Sequence, residues 1–264
     1  MPQSNGNNTV LNIDGLTKFF GGLRAVHDFD VEIKEGELVG LIGPNGAGKT
    51  TIFNMITGIY PVSSGTVVFK DQHITDLPAH EVTHLGIGRT FQNIRIFPNL
   101  TVLDNVRVAY HPHCQYNIFD GIMRSGRFAR GERGMTARAQ EFLSVFGLEE
   151  YQDTLAANLP YGEQRRMEIA RALATEPDLL LLDEPAAGMN PGEIVELMDL
   201  IHFIRDRFDL TILLIEHQMR VVMGICEWIT VIDFGEIIAR GTPDEIRNDP
   251  RVIEAYLGSR AAGE

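Results

Sequence analysis

Nine consecutive residues, G-P-N-G-A-G-K-T-T at positions 43–51, carry the most legible chemistry in the chain. They fill every fixed position of the phosphate-binding pattern G-x-x-x-x-G-K followed by Ser or Thr. Backbone N–H groups of such a loop, together with the N-terminus of the helix after it, face a polyphosphate. Lys49 is placed to reach the β- and γ-phosphates, and the Thr50 hydroxyl to ligate Mg²⁺. A chance glycine turn before a helix is the bland alternative, and the flanks argue against it. Leu38, Val39, Gly40, Leu41 and Ile42 precede the loop as an apolar run of buried-strand length. Ile52, Phe53, Met55 and Ile56 follow it at helical spacing, with Gly58 as a stop.

Further along, the apolar run at 179–182 ends in Asp183 and Glu184. Asp183 stands where a Mg²⁺-organising carboxylate belongs beside a phosphate loop, and Glu184 where a general base would meet a water attacking the γ-phosphate. Without the loop, an Asp-Glu pair at a strand end would read as an exposed turn. Another buried strand is expected at 210–215, closed by Glu216 and His217. A single histidine there is by itself more often a packing or surface residue. Phe19 and Phe20 sit in a stretch, 18–22, that reads as a turn between two strands. They are suited either to partial-core packing or to stacking one ring on an adenine.

The elements that must position these residues come from hydrophobic period. Residues 9–14, 28–33 and 65–70 alternate apolar and polar and read as half-buried strands of a small antiparallel lobe spanning mainly 9–35 and 58–75. A short helical pattern covers 76–87, and a second covers 100–106 with Thr101 as its cap. Residues 111–134 are poorly patterned. Within them His111, Pro112, His113 and Cys114 suggest a metal cluster at first glance, but the absence of a second ligand pair at zinc spacing favours a surface loop. Arg124, Arg127, Arg130, Arg133 and Arg138 form a local basic band, either a solvated face or a contact for a membrane surface or acidic partner. An amphipathic helix is expected over 136–146, and another after L-P-Y-G-E-Q at 159–164, stopped by Pro177. Asn190, Pro191 and Glu193 make a strong helix start. Strands at 228–232 and 236–239 and two short helices over 242–257 complete the pattern. Strands alternating with helices imply an α/β fold with a mostly parallel, three-layer core.

Composition sets the outer bounds. A chain of 264 residues buries one substantial core, with or without a smaller lobe. Its net charge of −13 argues against a nucleic-acid partner, whose phosphates need a basic face. Two cysteines make no disulfide framework, and the longest apolar runs are too short to span a bilayer. The first eight residues are polar and expected to be disordered, with no basic-then-apolar leader. The expected compartment is the cytosol.

A phosphate loop alone allows kinases, GTPases, helicases and transport ATPases. The ordered set of further motifs narrows the choice. T-F-Q-N at 90–93, L-P-Y-G-E-Q at 159–164, L-L-L-L-D-E-P at 179–185, A-G-M-N at 187–190 and I-E-H at 215–217 resemble, with the loop itself, the ATP-binding cassette (ABC) ATPases over almost the whole chain. The run from Leu159 to Ala174, the loop P-A-A-G-M-N-P and the ending D-P-R-V-I-E-A-Y-L-G resemble a cassette subunit of branched-chain (hydrophobic) amino-acid importers.

The resemblance implies a phosphate-loop NTPase core with a mostly parallel sheet, the antiparallel lobe and a helical signature-motif subdomain over about 93–175, all in one cassette domain over 9–260. It implies nucleotide contacts from Gly43, Pro44, Asn45, Gly46, Ala47, Gly48, Lys49, Thr50 and Thr51, with Phe20 stacked on adenine. Glu184, His217 and Gln92 would be catalytic, and Thr50, Gln92 and Asp183 would serve the metal. Tyr161, Gly162, Glu163 and Gln164 would contact the nucleotide held by a second cassette. The family's signature loop normally carries a serine where this chain has Pro160, so both a hydroxyl and a backbone donor are missing there. The expected loss is on the order of 1 kcal/mol, with Gly162 and the helix N-terminus remaining as donors. Asn190 replaces the usual aspartate of the next loop.

ATP and Mg²⁺ are the implied cofactors. A second cassette and integral membrane permease subunits are the implied direct partners, with a periplasmic or extracellular binding protein engaged indirectly. The implied place is the cytoplasmic face of the membrane. Urea or lipopolysaccharide transport and a non-transport ABC ATPase are the alternatives carried forward.

Overall fold

Alternating side chains open the structure with a long hairpin. In the computed structural model, which describes residues 8–114, 116 and 118–261, β1 (Thr9–Phe20) pairs antiparallel with β2 (Leu23–Lys34), Thr9 opposite Lys34 and Phe20 opposite Leu23. The expected turn at 18–22 is shorter: Lys18, Phe19 and Phe20 belong to β1, and only Gly21 and Gly22 reverse the chain. A left-handed Gly21 (φ 58°) supplies the tight reversal that strand twist favours. Most of the segment expected to be disordered, residues 1–7, lies outside the described residues; the carbonyl of Asn8 accepts from the Glu35 N–H at 3.0 Å.

Two units make up the chain. The first comprises the residues up to Ile87 together with those from Asp178 onward. After the hairpin it continues through β3 (Leu38–Ile42), α1 (Lys49–Ile56), β4 (Ser64–Phe69), β5 (Gln72–His73) and α2 (Ala79–His84) to β6 (Ile87–Arg89), where the second unit begins. The helical pattern expected to reach Ile87 stops earlier, because Gly86 turns left-handed (φ 109°) and Ile87 enters a strand. An antiparallel four-stranded sheet has the order β2-β1-β4-β5.

The second unit, Gly88–Pro177, is helical. It holds α3 (Val102–Tyr110), α4 (Ile118–Ile122), α5 (Gly126–Val145) and α6 (Tyr161–Leu173). Thr101 caps α3 by accepting from the Asp104 N–H at 3.1 Å. Helix α5 starts at Gly126 rather than Thr136. Ser125 caps it, accepting from the Phe128 N–H at 3.2 Å, while Gly126, Gly131 and Gly134 dilute the apolar period that would have revealed it. Its buried face is Met135, Ala139, Phe142 and Leu143. Arg127, Arg130 and Arg133 are exposed, whereas Arg138 is tied to Glu141 and Glu176 at 2.6 and 2.7 Å. His111, Pro112 and His113 form one 3-10 turn. The ring of His113 meets the Thr175 carbonyl at 2.9 Å, that of His111 stands edge-on to Tyr116, and the Cys114 thiol meets the Met135 sulfur at 3.8 Å.

The first unit resumes with β7 (Leu179–Asp183), α7 (Pro191–Phe208), β8 (Thr211–Ile215), α8 (Met219–Ile225), β9 (Trp228–Asp233), β10 (Glu236–Gly241), α9 (Pro243–Asn248) and α10 (Pro250–Ala261). Its second sheet has the order β10-β9-β3-β8-β7-β6, with β3 parallel to β8 and β9 and β7 parallel to β8. Every residue of β3, β7 and β8 is buried. Strands covered on both faces have no polar side to show, which is why all three read as near-continuous apolar runs, with Asp183 and Thr211 only at strand ends. Burial of each leucine or isoleucine there contributes roughly 1.5–3 kcal/mol.

Asn190 opens α7 with a capping box: its side chain accepts from the Gly192 and Glu193 N–H groups at 2.9 and 3.1 Å, and Glu193 accepts from the Asn190 N–H at 2.8 Å. Asn190→Ala should therefore cost about 1 kcal/mol of stability, read as a lowered melting temperature. An unchanged melting curve would mean the cap contributes nothing.

Candidate functional site

Three adjacent parallel strands decide where the chemistry collects. Because β3, β8 and β7 are neighbours running the same way, the loops after their C-terminal ends share one edge. Leu41 and Asp183 both register opposite Ile215, so the phosphate loop, the Asp183–Glu184 pair and the 216–218 turn leave the sheet side by side.

At two positions of this loop space itself demands glycine. A Cβ at Gly43 (φ 156°) would lie 2.1 Å from the Ile232 carbonyl oxygen, and one at Gly48 (φ 106°) 2.7 Å from that of Ala25. The loop thus packs tightly against the backbone of β9 and β2 and delivers α1 with no side-chain cap on its first N–H groups. Those groups are the donors an anion would use. Asn45, Gly46 and Thr50 are exposed, Ala47 is buried, and Thr51 is half-buried. Lys49 is buried, its ammonium donating to the Gly43 and Pro44 carbonyls at 2.6 and 2.9 Å. Burial lowers the Lys49 pKa, while the charges of Glu184 and Asp183 pull it back up.

Glu184 adopts a left-handed backbone (φ 50°), uncommon for a residue with a side chain. Its N–H donates to the Ile215 carbonyl at 2.9 Å, and its carboxylate lies 3.5 Å from Nδ1 of His217. Asp183 ends β7 fully inside the first unit. Lys49, Asp183, Glu184 and His217 are therefore one cluster. Phe19 and Phe20 are 47% and 43% exposed, so neither is a core ring. Phe20 stands edge-on to Tyr60 at 5.4 Å with the Lys18 ammonium 5.0 Å from its centre, which fixes the ring at the surface.

A residue quoted only as part of a motif occupies the middle of this edge. Glu216 is fully buried and accepts from the N–H groups of Ala186, His217 and Gln218 at 2.8, 3.0 and 3.2 Å. Burial raises its pKa against the pull of those three donors. The signal in the sequence was a carboxylate placed directly after a five-residue apolar strand.

The second unit holds the remaining candidates. Pro160 precedes α6 without a side-chain cap hydrogen bond, so the helix begins at Tyr161 with Gly162 and Glu163 in its first turn. Tyr161 is exposed; Gln164 donates to the Leu159 carbonyl at 2.9 Å, and Glu163 lies 3.9 Å from Arg166. Gln92 is exposed, and its backbone carbonyl accepts from Arg165 at 2.5 Å. Arg165 and Glu168, both buried, pair at 2.9 Å beneath residues 91–95. Arg and Glu at i and i+3 on a helix were visible in the sequence, but their burial was not.

Comparison with known proteins places this geometry. The ABC transporter family model matches residues 26–187, and a model described as branched-chain amino acid ATP-binding cassette transporter matches 236–262. The chain is 47% identical over 249 residues to the high-affinity branched-chain amino acid transport ATP-binding protein LivG of Escherichia coli, covering 94% of this chain and 98% of that one. The crystal structure of the ADP conformation of MJ1267, an ATP-binding cassette of an ABC transporter, superposes with a TM-score of 0.82 at 30% identity, covering 95% and 99% of the two chains. The dimeric post-hydrolysis state of the cassette MJ0796, bound to ADP and Pi, superposes with 0.75 at 27% identity, covering 88% and 98%. No helix among the described residues is long and apolar enough to cross a membrane. With a phosphate loop, a buried lysine and two acidic residues at the ends of adjacent parallel strands, and with relatives matching along nearly its whole length, the chain belongs to the ABC transporter family as an ATP-binding cassette.

Proposed function

We propose that the chain is the ATP-hydrolysing subunit of an importer for branched-chain amino acids, working as one of two facing cassettes against integral membrane permeases at the cytoplasmic face. The buried Lys49 beside Asp183, Glu184 and His217 carries the hydrolytic reading. The matched C-terminal segment at 236–262 and the identity to LivG support the cargo.

In this reading Lys49 and the uncapped N–H groups of α1 hold the β- and γ-phosphates, with Gly43, Pro44, Asn45, Gly46, Ala47, Gly48 and Thr51 shaping the cradle. Thr50 and Asp183 offer hard oxygen ligands suited to Mg²⁺, which would neutralise charge on the phosphates. Among the described residues no group of three or more His, Cys, Asp and Glu is set to hold a metal ion. Mg²⁺ commonly relies on one or two protein oxygens plus the substrate's own phosphates, so the donor set fits that ion. Glu184 takes the proton of the attacking water, and His217, oriented by its contact with that carboxylate, meets the γ-phosphate. Phe20 stacks on the adenine. Gln92, through the family resemblance, serves the metal or the water and reports occupancy to the permease. Gly162 and the N-terminus of α6, with Tyr161, Glu163 and Gln164, face the nucleotide of the second cassette. ATP drives closure to the extent that it binds the closed pair better than the open one.

Lys49→Ala tests the cradle. Loss of a charge-assisted hydrogen bond should weaken ATP affinity roughly tenfold to a hundredfold in isothermal titration. Unchanged affinity removes Lys49 from the phosphate site. Cargo is tested by capturing the membrane partners, identifying them and reconstituting uptake. The complex should concentrate leucine, isoleucine or valine in an ATP-dependent manner; uptake of urea or export of a lipid instead overturns the cargo while leaving the ATPase standing.

A further inference from the structure

The edge formed by β7 and β8 is cross-stitched beyond the sheet itself. Asp183 pairs with Ile215 in register, and the Glu184 N–H continues the ladder onto the Ile215 carbonyl at 2.9 Å. One residue on, a carboxylate takes over from backbone. The Oε1 of Glu216 accepts from the Ala186 N–H at 2.8 Å, while its Oε2 accepts from the His217 and Gln218 N–H groups. Gln218 closes the ring by donating its side-chain amide to the Ala186 carbonyl at 3.0 Å. Glu184, in its left-handed conformation, lies inside this ring, fixed on one side at its own N–H and on the other through Ala186. A disfavoured backbone persists only where its surroundings over-determine it.

We infer that Glu216 is a positioning residue for hydrolysis: it holds the Glu184 carboxylate and the His217 ring in one geometry by tying the 184–190 loop to the 216–218 turn. It does not touch the phosphates and is distinct from the general base beside it. Three N–H groups converge on one buried carboxylate, and neither a neutral amide nor a shorter acid can reproduce that pattern. An amide has one acceptor oxygen, so one of its two ends would set an N–H against an NH₂. The inference rests on the assignment of Glu184 above, and its test separates the two.

Glu216→Gln should lower kcat by about 10²-fold, the scale expected from misplacing a reacting group by an ångström, while ATP affinity stays unchanged. Gln218→Met, which removes only the amide to Ala186, should lower kcat in the same direction by a smaller factor and keeps the question open to experiment should Glu216→Gln fold poorly. The deciding readout is the pair Glu184→Gln and Glu216→Gln in one chain. If Glu216 works through Glu184, the double variant hydrolyses no more slowly than Glu184→Gln alone. A further drop by the full single-variant factor, an undiminished kcat in Glu216→Gln, or a loss of ATP affinity that matches the loss of kcat would each overturn the inference. Undiminished turnover in Glu184→Gln alone would instead sink the assignment on which it is built.

Discussion

Glu184→Gln should cut ATP turnover by roughly 10²–10⁴ and leave ATP affinity intact. Glutamine has nearly the same shape, so the left-handed backbone at φ 50° and the N–H bond to Ile215 survive. Its amide still reaches His217, which lies 3.5 Å from the native carboxylate. What is lost is the ability to take a proton from water, which is the definition of the role assigned. The measurement pairs single-turnover phosphate release with isothermal titration of ATP. A large loss of turnover with unchanged affinity supports the general base. Turnover at the native rate would pass the role to another group, and a parallel loss of affinity would show that Glu184 holds the loop and does no proton chemistry. The same variant should accumulate as a nucleotide-bound dimer, visible by size-exclusion chromatography, if two cassettes share each ATP.

Arg165→Ala should be the most destabilising single change in the helical unit, by about 3–5 kcal/mol, because it leaves a buried carboxylate without its counter-charge. Arg165, 2% exposed, donates to Glu168 and to the Phe91 carbonyl at 2.9 Å each and to the Gln92 carbonyl at 2.5 Å. Glu168 in turn accepts from the N–H groups of Phe91 and Arg95 at 3.3 Å. Burial raises the Glu168 pKa and Arg165 opposes that rise, so the truncated variant drives Glu168 toward its protonated form. Replacing both members with apolar side chains often rescues a simple buried ion pair. Here it should not restore stability, since four backbone groups of the 91–95 segment would stay stranded at roughly 1–3 kcal/mol each. Thermal unfolding followed by circular dichroism checks both variants. Native-like melting of Arg165→Ala, or full recovery in the double apolar variant, would show that this segment does not depend on the pair.

The two predictions differ in how far they were readable in advance. The position of Glu184 was legible because its signal is local: a carboxylate directly after a buried strand, downstream of a phosphate loop. The same holds for the placement of Lys49, Thr50 and Asp183, which the loop and the strand end fix over a few residues. The Asn190 cap was legible for a related reason, since a capping box is closed within four residues. Only the second half of helix α5 was, because glycines and arginines blur its first half and its cap is a single serine. The C-terminal end of β1 was misjudged because Gly21 and Gly22 alone suffice for the reversal, releasing Lys18, Phe19 and Phe20 to the strand.

By itself, then, the sequence determined that this chain binds and splits a nucleoside triphosphate, for a backbone cradle, a lysine and a strand-end carboxylate pair are set by neighbours a few positions away. Only the tertiary structure decided what each strand-end carboxylate touches. Asp183, Glu184 and Glu216 are similar letters at similar strand ends. It is the parallel pairing of β7 with β8, joining residues some thirty positions apart, that aims one at His217 and turns another inward to hold two loops together. Such pairing depends on burial on both faces of the sheet, a property of the packed whole that no local stretch carries.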